Sequence, residues 1–266
     1  MYYYCKENKS CGKMAIKNII FDLGGVWLPI DERRTLAAFA ALATAQGDKP
    51  SAAVEPALGS EAHVDGGMAG RGETGAGKRT GAGNQTAVGS QEAADLAARL
   101  QPDILAYELG EIDDRALFGR LGRALRRAPD TPPASDQALT DAWNAMLLPF
   151  PEAHLPLLEA LGDGYHIFLL SNTNALHIRY VEQDFQRRFP GRKPFLQHFE
   201  KAYLSHELHL RKPQPEIYTH VLRDAGLDAD GTLFVDDRAE NIAAAAALGI
   251  HTYHHPANAP LSELPL

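Results

Sequence analysis

IKNIIFDLGGV, residues 16–26, is the stretch on which the fold turns. Ile19, Ile20 and Phe21 form a short run of β-branched and aromatic residues, closed by Asp22 and by Gly24-Gly25. This reads as a buried strand ending in a turn. Its complement begins only after Pro151, where PEAHLPLLEALG, YHIFLL, ALHIRYVEQDFQRRF, KAYLS, PEIYTHVLRDAG, TLFVD, AENIAAAAALG and IHTYH alternate helical and strand patterning. Such alternation implies a parallel sheet covered by helices on both faces. The expectation is an α/β protein with a doubly wound, Rossmann-like parallel sheet built from residues 14–30 and 150–266. A helical cap, residues 31–149, interrupts it after the first strand.

Within that cap, Asp31 is placed to start DERRTLAAFAALATA, whose apolar residues Leu36, Phe39 and Leu42 recur at helical spacing. Between Gly47 and Gly89 lie 11 of the chain's 23 glycines, mixed with Ala, Ser and Thr. That composition offers too little apolar surface to offset the entropy of ordering, so a flexible insertion is expected at about 46–90. Helical patterning resumes at Gln91 and continues with interruptions, with Gly110 as a stop and Ser135 as a cap.

Composition narrows the functions. With 266 residues and 45% hydrophobic content the chain can bury one substantial core and a smaller accessory domain. A formal net charge of -8 disfavours a nucleic-acid partner, because non-specific affinity for the phosphate backbone comes from clustered Lys and Arg. No apolar stretch approaches the roughly 20 residues of a membrane span, and the first dozen residues lack the apolar segment of a signal peptide. Both cysteines, Cys5 and Cys11, precede the first strand and suggest no disulfide framework, which favours a cytoplasmic setting. Residues 1–13 and the oligomeric state receive no assignment.

In an open parallel sheet, ligands bind beyond the carboxyl ends of the strands. Four polar clusters follow apolar runs there: Asp22, Ser171-Asn172-Thr173, Arg211-Lys212 in the loop after KAYLS, and Asp236-Asp237. Carboxylates from two strand ends can share a hard cation such as Mg²⁺, with phosphate oxygens completing its shell. Lys212, the Ser171 hydroxyl and nearby backbone N–H groups would then hold the remaining phosphate oxygens, with Asp22 in line to attack.

FDLGGV, LLSNTN, RKPQPEIY and FVDDRAENI resemble, in order and spacing, the four motifs of the haloacid-dehalogenase-like (HAD) superfamily. They are most similar to its sugar-phosphatase branch, over Ile16–Asp31 and roughly Ala142–Tyr253, and the glycine-rich insertion falls outside the resemblance. The resemblance implies that Asp22 is a covalent nucleophile and, with the carbonyl of Gly24 and with Asp237 and Asp236, holds Mg²⁺. It further implies phosphate contacts from Ser171 and Asn172, a catalytic Lys212, and an Asn241 that orients the acidic loop. The expected activity is hydrolysis of a small phosphate ester.

One position departs from the pattern. Most phosphatases of the superfamily carry a second aspartate two residues after the nucleophile, to protonate the leaving oxygen; here that residue is Gly24. Three readings are open. The favoured one is a leaving group that stabilises itself, such as the anomeric oxygen of a hexose 1-phosphate. In the second, a water or a cap residue is the acid. In the third, the chain binds phosphorylated ligands without turning them over. A metal-independent 2-haloacid dehalogenase is a separate alternative, and the Asp236-Asp237 pair argues against it. GETGAGK, residues 72–78, has Arg79 where a phosphate-binding P-loop needs Ser or Thr, and no strand precedes it. Trp27 and Trp143 read as interdomain packing rather than as site residues, and His251, His254 and His255 as surface histidines.

Overall fold

The computed structural model of the chain describes residues 16–45, 83–126 and 132–264. The first 13 residues with both cysteines, and most of the glycine-rich insertion with GETGAGK, lie outside the described residues.

The first strand, β1 (Asn18–Phe21), leads into four cap helices: α1 (Glu32–Ala45), α2 (Gly83–Glu108), α3 (Asp114–Leu125) and α4 (Asp136–Asn144). The chain then alternates through α5 (Leu155–Gly164), β2 (His166–Ser171), α6 (Ala175–Arg188), β3 (Lys201–Leu204), the short α7 (Ser205–Leu208), α8 (Pro215–Ala225), β4 (Thr232–Asp236), α9 (Ala239–Ala246) and β5 (His251–His254). All strand pairs are parallel and the order is β3-β2-β1-β4-β5, which puts the first strand in the middle.

Burial on both faces explains why these strands read as continuous apolar runs rather than as alternating ones. Ile19, Phe21, Ile167, Leu169, Leu233 and Val235 face one layer, against Leu158, Val181 and Phe185. Ile20, Phe168, Leu170 and Phe234 face the other, against Ile217, Tyr218 and Val221. Burying each such side chain stabilises the fold by roughly 1.5–3 kcal/mol. Trp27, fully buried, packs edge-on to Phe21 at 5.1 Å inside the first layer, so it is core rather than cap contact.

Phe39, Leu96, Leu100, Leu117, Leu121 and Leu139 close a separate apolar cluster in the cap. Two connecting segments join cap to core side by side: Asp31 N–H donates to Met146 O at 2.9 Å and Leu148 N–H to Pro29 O at 3.0 Å. Ser135 caps α4, its hydroxyl accepting from Ala138 N–H. Helix α2 departs from the sequence expectation in two ways. It starts at Gly83, ahead of Gln91, and it runs through Pro102 without a break. Packing of Leu96, Leu100 and Tyr107 in the cap cluster outweighs the local cost of glycine and proline, because tertiary burial supplies most helix stability. His255 also departs: it is fully buried, its Nε2 meeting Ala259 O at 3.1 Å, while His254 stays exposed.

Candidate active site

The sheet register brings the acidic strand ends together. Phe21 sits level with Leu169 and Val235, so Asp22, one residue on, comes abreast of Asp236. Asp22 N–H still donates to Val235 O at 2.9 Å, holding the strand straight to its last residue. Between the two carboxylates lies the buried ammonium of Lys212, 2.8 Å from Asp22 Oδ1 and 2.7 Å from Asp236 Oδ2, with a third bond to Leu170 O at 2.7 Å. All three ammonium protons are thus engaged.

Asn172 sets the position of that lysine. Its Nδ2 donates to Lys212 O at 2.9 Å and its Oδ1 accepts from Lys212 N–H at 2.8 Å, clamping the RKP loop to the end of β2. Asp236 is held as tightly. Oδ1 accepts from Arg238 N–H and Asn241 Nδ2, and Oδ2 from Lys212 Nζ and Asn241 Nδ2, which fills the lone-pair positions of a carboxylate. Asp237 instead turns toward the first loop. A Cβ built on Gly25, where φ is +77°, would lie 2.3 Å from Asp237 Oδ2, so only glycine fits there.

Asp22, Asp236 and Asp237 offer oxygens within 4.8 Å of one another. Three carboxylates against one ammonium leave an excess of negative charge in a largely desolvated space. Asp22 records it: burial first, and then Asp236, push its carboxyl up to about 6 despite the pull of Lys212. Asp237 is raised too, by burial and by Asp236. Lys212 goes up, because Asp22 and Asp236 outweigh the burial that would discharge it. A hard divalent cation with oxygen ligands matches both the donor set and the missing charge.

Asp22, Gly24, Asn172, Lys212, Asp237 and Asn241 line one cavity of about 350 Å³ between core and cap. Ser171 and Asp236 lie beneath it, buried at the ends of β2 and β4. The opposite wall belongs to the cap: Leu36, Phe39, Leu100, Ile104, Trp143 and Met146. Trp143, read from sequence as packing, does both, since its Nε1–H donates to Asn174 Oδ1 at 3.2 Å while its ring faces the cavity. Sequence reasoning missed the charged rim, where Arg238 meets Glu32 at 3.1 Å and Arg211 meets Glu108 at 3.4 Å. Arg211 was visible beside Lys212; Glu32 and Glu108 sit in ordinary helical patterning that carries no signal.

This geometry, four strand-end loops converging beneath an inserted helical cap, is that of a haloacid dehalogenase-like hydrolase. The chain belongs to that family, whose profile matches residues 16–249. Among relatives, a D-ribitol-5-phosphate phosphatase of Bacteroides thetaiotaomicron is 28% identical over 239 residues, 90% of this chain and 91% of that one. A sesquiterpene phosphatase of Aspergillus oryzae is 28% identical over 155 residues, 56% of this chain and 69% of that protein. Among solved structures, a HAD family enzyme of B. thetaiotaomicron in complex with magnesium and inorganic phosphate superposes with a TM-score of 0.67 at 28% identity, over 95% of this chain and 100% of that one. Among the described residues no helix is long and apolar enough to cross a membrane.

Proposed function

We propose that the chain is a Mg²⁺-dependent phosphatase that hydrolyses a small phosphorylated metabolite, a sugar phosphate, through a phosphoryl group carried on Asp22. The observation that carries this reading is the Asp22–Lys212–Asp236 arrangement, with Asp237 beside it, at the floor of a cavity small enough for one metabolite. Asp22, Asp237 and the carbonyl of Gly24 hold the metal, and Asp236, its oxygens already taken up by Lys212, Asn241 and Arg238, chiefly orders the lysine and the loop. Mg²⁺ held by these residues would neutralise phosphate charge and screen Asp22 from its acidic neighbours. Asp22 attacks phosphorus in line, Lys212 steadies the nucleophile and lends its positive charge to the phosphate side, and Ser171 with Asn172 borders the phosphate on the β2 side. Water then releases the phosphate from Asp22.

Two solved or curated relatives support the class. One was crystallised with magnesium and phosphate, and one is named for a phosphorylated polyol. Within the class, a hexose 1-phosphate is the narrower reading, supported by Gly24, which brings no carboxyl to a leaving oxygen. The chain acts on small molecules, and since no cysteine follows Cys11, the cytoplasm is its proposed setting. Phosphate release from a panel of sugar phosphates, with and without Mg²⁺, tests the proposal. The expected result is metal-dependent release that drops at least about 10⁴-fold in Asp22→Asn, in which no nucleophilic carboxylate remains. Release persisting in that variant, or intact esters after prolonged incubation of the native protein, would overturn it.

A further inference from the structure

Expelling an ordinary alkoxide requires a proton, and the floor of the cavity has none to spare. Asp22, Asp237 and Lys212 are committed to the charge cluster. Two residues past Asp22 stands Gly24, which brings no carboxyl, and a Cβ there would press on Ile30 Cδ1 at 3.3 Å. Among the described residues three other carboxylate or imidazole groups line the cavity: Glu32, Glu108 and His177. Burial holds His177 down to about 4, so it is neutral, with Nε2 3.3 Å from Trp143 O and Nδ1 3.2 Å from Asn174 Nδ2; its one proton is directed at a carbonyl. Glu32 stands 63% exposed and is engaged by Arg238. Glu108 is the group left, with only 22% of its side chain exposed.

We infer that Glu108, at the end of α2 in the cap, is the general acid and base of this site. Its placement is enforced from the core side. Ser205, fully buried, donates from Oγ to Glu108 O at 2.7 Å while accepting from Thr173 N–H at 2.9 Å, which ties the backbone of Glu108 to the phosphate-side loop. His209 Nδ1 meets Leu109 O at 2.6 Å. Gly110 then passes so close to α7 that a Cβ there would lie 2.0 Å from His206 O. The cap is therefore seamed to the catalytic loops at this residue. Arg211, next to Lys212, keeps a 3.4 Å contact with the carboxyl and orients it. Burial raises the affinity of Glu108 for its proton against the pull of Arg211 and Arg238, and Glu32 on α1 pushes the same way as burial. From α3, Asp114 bonds Tyr107 instead.

The step balances without another reactant. As the bond from Asp22 to phosphorus forms and the ester P–O bond breaks, its electron pair goes to the leaving oxygen, which takes the Glu108 proton. The Glu108 carboxylate then accepts a proton from the water that attacks phosphorus, and Asp22 leaves as a carboxylate. This assignment rests on the phosphatase reading; it replaces the ground, the missing carboxyl at Gly24, on which the narrower hexose 1-phosphate reading stood, and admits poor leaving groups such as hexose 6-phosphates.

The test compares kcat/KM on a hexose 6-phosphate and on 4-nitrophenyl phosphate, whose phenolate leaves unaided. Glu108→Gln should lower the first about 10²-fold or more and the second less than about fivefold. In the native protein, the ratio of the two rates should fall as pH rises through the elevated Glu108 ionisation, a readout that needs no variant. Equal losses on both esters with a pH-independent ratio would overturn the Glu108 assignment alone. A native protein that cleaves neither ester would overturn the phosphatase reading with it.

Discussion

The floor and the roof of the cavity are built on opposite principles. On the floor, Asp22, Lys212, Asp236, Asn172 and Asn241 are tied by contacts of 2.7–3.0 Å, between strand ends, their loops and the first turn of α9. The roof is a mainly apolar wall from α1, α2 and α4, with Glu32, Thr35, Gln101 and Glu108 among its lining residues. A buried network whose members satisfy one another has one arrangement, whereas an apolar surface tolerates several. The difference separates the charged cluster, which must hold its groups to within fractions of an ångström, from the apolar lining, which the cap can retune around the one group it lends to the chemistry, Glu108 at the seam with the core.

The sharpest way to break the contrast is to remove the ion pair at the centre of the floor. Lys212→Met keeps the length of the side chain but leaves Asp22 and Asp236 buried without their cation. Taking one partner from such a pair costs about 3–5 kcal/mol. Denaturant unfolding of the metal-free protein should show that loss, and Mg²⁺ should recover part of it by supplying the missing positive charge. A loss below about 1 kcal/mol would mean that the floor is no more rigid than the roof.

The same contrast governs what could be read beforehand. The strands IKNIIF, YHIFLL and TLFVD announce themselves because burial on both faces demands unbroken apolar runs, and the polar residue that ends each run is placed by the sheet alone. Asp22, Asn172 and Asp237 were legible for that reason, and Lys212 through its setting in RKPQPEIY. Glu108 was not, because its position depends on Ser205, His209 and Gly110 meeting around the end of a helix in another domain, which no local pattern encodes. The N-terminal bound of α2 was missed likewise: the Gly, Ala, Ser and Thr composition up to Gly89 argues against a helix that nonetheless starts at Gly83.

A second test moves to the seam between the two regions. His177 on α6 bonds the cap through Trp143 O, and its ionisation is depressed from 6.5 to about 4. The unfolded chain therefore takes up a proton on this residue at a pH where the folded one does not. Stability is fully present above about 6.5 and falls as pH drops toward 4, by up to about 3 kcal/mol at 1.36 kcal/mol per unit. Urea midpoints between pH 7 and 4 should follow this slope in the native protein, and His177→Gln should flatten it. An unchanged slope would assign the acid sensitivity to other groups.

The smallest effect is the most local. Trp143→Phe keeps an aromatic ring on the cavity wall and removes the Nε1–H bond to Asn174, whose Oδ1 still accepts from His177 N–H at 3.0 Å, together with the indole atoms that pack in the cap cluster. With no acceptor left stranded and an aromatic ring retained, the cost should be about 1–2 kcal/mol. The variant also leaves Trp27 as the sole tryptophan, buried in the sheet layer, while Trp27→Phe leaves only the one at the seam. Fluorescence of the two variants in mild acid reports each region separately. The Trp143 signal should move first, because the cap is joined to the core through His177 and Asn174, whereas Trp27 is enclosed by Phe21 and Phe199. Coincident transitions would show that cap and core yield together, and the division between a rigid floor and an adaptable roof would then hold for substrate contacts but not for stability.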